Sequence, residues 1–246
     1  MNGRIFASFL CALLLPGLVP TASAADFKLQ YDLRVRGVAV GQARVDVGAA
    51  REQGGQRLRP IRIRAEVQPL GVRVLGVSGD GTSWLDASGQ PVRGEWAWNE
   101  LDTPARVQAQ WENGKLDGRY FRGGEERRRI QHEPAGHSSD LLSLVPWLML
   151  KRPQVGQTLR TTTFTGNQIY AVTARVRAAE STQSVIQGRR VVRLDGTAIR
   201  PGRHRQFKIW VDAETGLPLR LAFEHDLIGT VDALIRSEPG VVTAAP

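Results

Sequence analysis

The residues with which this chain could do acid–base or metal chemistry are four histidines and a scatter of carboxylates. His132-Glu133, His137 and Asp140 form the tightest local group, in a turn marked by Pro134 and Gly136. A zinc site needs three or four such ligands converging at about 2.0–2.3 Å, and no two histidines stand one helical turn apart, the spacing that aims both at one ion. His225 has Glu224 and Asp226 beside it, and in a strand both neighbours point to the opposite face. Structural or solvated roles are therefore expected for all four, with no metal, no cofactor and no catalytic residue. Gly76-Val77-Ser78-Gly79-Asp80 begins like the elbow that exposes a serine nucleophile, but lacks the final glycine and the following helix. Phosphate-cradling glycine loops are absent. Glycosidase chemistry needs two carboxyls facing each other across a cleft; among 24 acidic residues a chance pair is expected, so spacing supports no such pair. His137 with a nearby Glu or Asp remains the best candidate for a hydrolase or lyase acting on an envelope polymer.

The tryptophans carry a different kind of chemistry. Trp96 and Trp98 are two apart and share one face of a strand. Trp84 falls on the neighbouring strand if residues 86–91 form a hairpin, and Trp147 falls in a helical stretch with Leu141, Leu144 and Leu148. Buried tryptophans are ordinary core anchors. The same residues also fit an apolar, concave ligand site with a few polar groups at its rim. Trp84, Trp96, Trp98, Leu141, Leu144, Trp147 and Leu148 are the candidate ligand-binding set, for an apolar or amphiphilic molecule such as a lipid. Leu70, Val72, Val74, Leu75 and Val77 would be a lid over it, hinged at glycines 71, 76 and 79.

The elements that position these residues are mostly strands. Phe27, Leu29, Tyr31, Leu33 and Val35 alternate with polar residues, as do Ile61, Ile63, Ala65 and Val67, and Val107, Ala109 and Trp111. This is the period of half-buried strands. Asn113-Gly114 is a two-residue hairpin signal of the type I′ kind. The helical stretch runs over 138–152: Ser138 or Ser139 caps it, Asp140 stands at its positive end, Lys151 and Arg152 close it and Pro153 stops it. Pro146 inside it implies a kink or two short pieces. Strands joined by short turns around a single helix give an antiparallel meander, too long to stay flat. The expected fold is mainly β: a strongly curved antiparallel sheet, or open half-barrel, with one central helix packed on the concave side.

The chain opens with Arg4, an apolar run over 5–15, the breakers Pro16, Gly17 and Pro20, and the small-residue site Ala22-Ser23-Ala24. That order is a secretory signal peptide over 1–24, and the run is too short for the ~20 apolar residues of a membrane span. The lone Cys11 lies inside the run without the small-residue box that a lipid anchor requires. The expected domain plan is a signal peptide at 1–24, one β domain over 25–238 and a frayed tail over 239–246. The expected location is the periplasm, soluble and without a lipid anchor. The net charge is +9, and 29 of the 33 basic residues are arginine. An anionic partner explains this charge; so do arginines spread over solvated strand faces. Nucleic acid is not expected. It would need stacking aromatics along a basic groove, whereas Arg127-Arg128-Arg129 alternates faces in a strand.

Several short motifs stand in a recognisable order: Val40-Gly41-Gln42-Ala43, Ser83-Trp84, Ser139-Asp140-Leu141-Leu142-Ser143-Leu144, Val155-Gly156-Gln157, Ile209-Trp210-Val211-Asp212 and Gly216-Leu217-Pro218-Leu219-Arg220, with Gly229 before the last strand. From about 27 to 236 the chain resembles the domain-of-unknown-function family numbered 3108. The resemblance implies a secreted bacterial protein with a fold similar to the outer-membrane lipoprotein carriers, a curved sheet half-closed around an apolar cavity with helix as plug or lid. It implies no activity and no catalytic residue. The leading functional expectation is a periplasmic binding or carrier protein for an apolar or amphiphilic envelope molecule. The alternative is a structural protein that pairs with another envelope protein through a sheet edge or a basic face.

Overall fold

The computed structural model describes residues 27–67, 78–100, 103–179, 185–186, 188–225 and 229–236. The expected signal peptide, the lid stretch 70–77 and the tail from 239 lie outside the described residues.

The first half of the chain forms β1 (Phe27–Val35), β2 (Val38–Val47), β3 (Arg51–Gln53), β4 (Gln56–Val67), β5 (Ser78–Leu85), β6 (Pro91–Glu100), β7 (Thr103–Glu112), β8 (Lys115–Arg122), β9 (Glu125–His132) and β10 (Ser138–Asp140). After the helix α1 (Leu144–Lys151) come β11 (Thr158–Phe164), β12 (Ile169–Ala178), β13 (Val185–Ile186), β14 (Arg189–Arg200), β15 (Arg203–Asp212), β16 (Pro218–His225) and β17 (Gly229–Ile235). From one end the sheet runs β9-β8-β7-β6-β5-β4-β2-β1-β17-β16-β15-β14-β12-β11-β10. The short β3 and β13 extend the hairpins of β4 and β14. The first and last strands pair at the centre, Tyr31 opposite Ile235, so the two halves of the chain form the two wings of the sheet.

Alternation decides which side faces in. In β7, Ala105, Val107, Ala109 and Trp111 are buried while Arg106, Gln108, Gln110 and Glu112 are exposed. Asn113 and Gly114 both take positive φ, 51° and 77°, the backbone of the expected type I′ turn. A sheet this wide cannot stay flat; it curls into an open half-barrel. The wing ending in β10 and β11 folds over the inner face of β5–β8. Phe164 of β11 is 1 % exposed and meets Trp96 and Trp111 edge-on, at 6.0 and 6.2 Å between centroids. It fits because β8 offers no side chain there: a Cβ on Gly118 would lie 2.6 Å from the tip of the Phe164 ring.

The helix is shorter than the sequence suggests. Ser138–Asp140 is a strand, parallel to β11, residues 141–143 are a turn, and α1 begins at Leu144. Pro146 therefore sits in the first turn, where the absent N–H has no helical partner to lose, and no kink results. Neither Ser138 nor Ser139 caps α1, whose N-cap is Ser143; Asp140, expected only near the helix's positive end, instead accepts the Leu142 and Ser143 N–H groups of the turn ahead of it. Trp147 and Leu148 of α1 pack on Ala174, Val176, Leu194, Ile209 and Val211 of the inner face.

On the outer face the arginines have local partners. Arg93 lies over Trp84 at 3.9 Å, Arg106 over Phe121 at 4.6 Å and Arg220 over Trp210 at 4.6 Å, in each case from the cross-strand position. Others pair with carboxylates, as in Arg220–Asp232, Arg189–Asp212 and Arg193–Asp195. Guanidinium groups stack on rings and bind carboxylates with the same planar fork, which gives the arginine excess a structural use.

Candidate functional site: the inner face of the curled sheet

The inner face divides into a filled end and a half-covered end. The filled end is held by a buried polar seam where β10 meets β5, β7 and β11. Asp140 is wholly buried. Its Oδ1 accepts the Leu142 and Ser143 N–H groups at 2.9 and 2.7 Å, and its Oδ2 accepts the Ser83 hydroxyl at 2.5 Å. The Ser143 Oγ in turn accepts the Asp140 N–H at 2.8 Å. This is the reciprocal logic of a capping box, with Ser83 tying the turn to the opposite wing. Ser139 Oγ lies 3.0 Å from Thr161 Oγ1 and 2.9 Å from Thr163 Oγ1, and Trp111 Nε1 donates to Ser138 Oγ at 3.1 Å. Burial raises the Asp140 carboxyl above its ordinary value, against the hydrogen bonds from Ser83, Ser143 and Leu142 that favour the charge. Tyr31, also buried, is raised by desolvation and donates to the Pro218 carbonyl at 2.9 Å.

The helix completes this end. A Cβ on Gly216 would lie 2.5 Å from the Leu148 carbonyl, so α1 rests directly on the turn between β15 and β16. Beneath it, Leu29, Val47, Ile61, Leu85 and Leu219 are at most 2 % exposed. Toward the other ends of the same strands the burial is uneven: Val35, Val40, Ala105 and Val107 are still buried. Leu33, Ile63 and Ala65 of β1 and β4, and Phe207, Leu221 and Phe223 of β15 and β16, lie on the inner face but are only half-buried. The turns at that end carry Arg36 and the pair Arg200 and Arg203.

The candidate residues fall in three places. Trp96 and Trp98 are on the inner face, half-buried. The Trp96 ring lies over Gly81 and Gly94, where a Cβ would come within 2.2 and 2.3 Å of it; Trp98 stacks on Tyr120 at 6.0 Å. Trp147 and Leu148 are buried with β12, β14 and β15, and Leu144 packs at the edge of that cluster. Leu141 is 55 % exposed in the turn before α1, and Trp84 is on the outer face beneath Arg93. The structure therefore does not gather the seven around one point. Residues 70 to 77 of the expected lid lie outside the described residues.

Nor are the hydrolase candidates assembled into a catalytic pair. His137 stacks on Trp147 at 4.8 Å and 11°, and burial and the nearby Lys151 charge lower its affinity for a proton. The Asp140 carboxylate turns away to Ser83 and the 142–143 backbone. Among the described residues no group of three His, Cys, Asp or Glu side chains is placed to hold a metal ion, and no helix is long and apolar enough to cross a membrane. The seam residues Ser83, Ser138, Ser139, Thr161 and Thr163 were not legible as partners. Their one sequence signal is a run of small polar residues next to a strongly apolar segment.

The profile of a family described as a protein of unknown function, DUF3108, matches residues 30–236. The chain belongs to the DUF3108 family. The structure is similar to that of a β-barrel-like protein of the domain of unknown function DUF1849 from Brucella abortus, at 13 % identity and a TM-score of 0.56, covering 87 % of this chain and 96 % of that one. A hypothetical lipoprotein, YmcC from Escherichia coli, matches at 11 % identity and a TM-score of 0.29, covering 87 % of this chain and 88 % of that one. No curated protein matches. The DUF3108 match and the DUF1849 likeness carry the fold; neither names an activity.

Proposed function

We propose that this DUF3108 protein is a periplasmic binding or carrier protein for an amphiphilic molecule of the cell envelope, and that the ligand's apolar part lies against the half-covered end of the inner face. One observation carries the reading. Away from the polar seam the inner face is apolar, and toward the ends of β1, β4, β15 and β16 Leu33, Ile63, Ala65, Phe207, Leu221 and Phe223 are only half-buried. Apolar area taken from water is worth about 25 cal/mol per Å² before ordering costs, so an acyl chain laid along this stripe gains by covering its half-exposed side chains. Arg36, Arg200 and Arg203 at the same end suit an anionic headgroup. The export pattern at the start of the chain supports the periplasmic location.

Native mass spectrometry of protein purified without detergent tests this. The expected result is a bound species of a few hundred daltons or more that disappears in Phe223→Asp, with the folded charge-state distribution retained. Protein that is consistently bare, while remaining folded, would rule the reading out.

A further inference from the structure

The end of the molecule that α1 closes carries a surface that the inner-face reading does not use. Leu150 and Val155 are each 59 % exposed, more than any other large apolar side chain among the described residues. They stand on either side of the helix end. Arg152 stops α1 in the left-handed conformation, φ 43°, while its N–H still donates to the Leu148 carbonyl at 2.9 Å. The chain then turns at once. The Gln157 N–H donates to the Gln154 carbonyl at 3.1 Å, the Gln154 N–H to the Gln157 side-chain oxygen at 3.0 Å, and Gly156 takes φ 92°. Glycine at the third position suits such a turn, and Val155 occupies its corner. The Gly156 N–H bonds the Val176 carbonyl and the Val176 N–H the Gln157 carbonyl, which fixes the turn to β12. Val155 is therefore held out in water by a bonded turn. Leu150 is held beside the 86–90 turn, its Cδ1 2.8 Å from where a Gly89 Cβ would lie.

The charge around these two side chains is one-sided. From 141 to 179 the sequence holds Lys151, Arg152, Arg160, Arg175 and Arg177 and no carboxylate. Arg177 is paired with Asp195. Lys151, Arg152, Arg160 and Arg175 are exposed and make no ion pair among the described residues. Lys151 and Arg152 lie between Leu150 and Val155 in the chain. Arg160 and Arg175 follow on one face of β11 and β12, diagonal to each other across the strand pair. Against these four cations the turns beside α1 set Asp86 and Glu214, and Asp86 is engaged by Ser88 and Gln90. A lone exposed apolar side chain needs no partner; two at one tip, with a surplus of unpaired cations beside them, form a pattern. They are too few for a stable protein interface, which buries about 800 Å² per partner around an apolar core. Nucleic acid would need rings stacking among the cations. A bilayer surface needs what is present: protruding apolar side chains to enter the headgroup region, and cations to meet anionic lipids around them.

We infer that this end of the molecule docks reversibly on an anionic lipid bilayer, with Leu150 and Val155 entering the headgroup region and Lys151, Arg152, Arg160 and Arg175 facing the lipid phosphates. The surface lies at the opposite end of the strands from Leu33 and Phe223, so it stands or falls apart from the carrier reading. The test uses the full chain with Val155→Cys in a Cys11→Ser background, carrying an environment-sensitive nitrobenzoxadiazole label. Vesicles of phosphatidylglycerol mixed with phosphatidylcholine are expected to shift the emission to the blue, saturably, at an ionic strength of about 0.01 M, and the response is expected to fade toward about 1 M. Pure phosphatidylcholine vesicles are expected to give little response, and the same label at Glu126→Cys, in the exposed strand β9, none. Lys151→Gln/Arg152→Gln in the labelled chain is expected to weaken binding about twentyfold or more, and Leu150→Asn to weaken it further, with the far-ultraviolet spectrum unchanged. No saturable shift at residue 155, an equal response to pure phosphatidylcholine, an equal response at residue 126, or undiminished binding by the charge variant would each overturn the inference. Tighter binding of polyglutamate than of the vesicles would assign the surface to an acidic protein and overturn it as well.

Discussion

Replacing Phe164 by alanine removes a ring that is 1 % exposed and that joins the two wings of the sheet through Trp96, Trp111 and the bare backbone of Gly118. Truncation of a buried phenylalanine costs about 3–5 kcal/mol. Gly118→Ala, made alone, pushes a methyl to 2.6 Å from the Phe164 ring. Overpacking of this kind costs about 1–3 kcal/mol, offset by about 0.5–1 kcal/mol because alanine suits a strand better than glycine. With Phe164 already truncated, the Gly118 methyl points into the vacated space. The steric cost then vanishes and the backbone gain remains, so the same substitution becomes stabilising by about 0.5–1 kcal/mol. The expected coupling between the two positions is about 2 kcal/mol, within the range seen for residues in contact. Urea unfolding of the parent, both single variants and the double variant measures it. Additivity within about 0.5 kcal/mol would refute the docking of β11 on β8, and with it the filled end of the inner face.

Two carboxylates should respond to pH with opposite signs. Burial raises Asp140 above the ordinary 3.8, so the stability gained from its proton is complete below that value and is lost as pH rises through the raised one. Asp140→Asn, which keeps an acceptor for Leu142 and Ser143, should become progressively more stable relative to the parent in thermal melts from about pH 4 to about pH 8; a difference independent of pH would contradict this. Asp212 is also pulled upward by burial, but the Thr215 N–H, Arg189 and the Glu214 N–H hold it below 3.8. Its contribution is present above 3.8 and disappears as pH falls through the lowered value. Asp212→Asn should therefore lose about 2 kcal/mol at neutral pH, with the loss shrinking in acid. A deficit that persists unchanged at about pH 2 would count against the ionic origin of the contribution.

Period-two alternation made β1, β4 and β7 legible with their inward faces, and Asn113-Gly114 marked its turn, because both signals are local. The family could be read from short motifs in order. The start of α1 was obscured because Ser138, Ser139 and Asp140 are cap-type residues. Here Asp140 does cap backbone N–H groups, but those of a turn, while Ser139 is held in a strand by Thr161 and Thr163, residues 22 and 24 positions away. Which face Trp84 takes relative to Trp96 depends on inter-strand register, including the irregularity between Trp84 and Leu85, and no local pattern encodes it. The pairing of β1 with β17 is likewise set by the whole sheet. The seven candidate ligand residues share size and apolarity, properties that core and site have in common, while Leu33, Ile63 and Phe223 stand out only by being half-buried on the inner face.

Methyl-detected NMR during titration with a single-chain anionic lipid, lysophosphatidylglycerol, tests the central claim most directly. The methyl signals of Leu33, Ile63 and Leu221 should shift and saturate, while those of Ile61, Val107 and Val176, packed in the filled core, stay in place. Saturable binding that moves the core methyls instead, or none at all below the lipid's micelle-forming concentration, would contradict it.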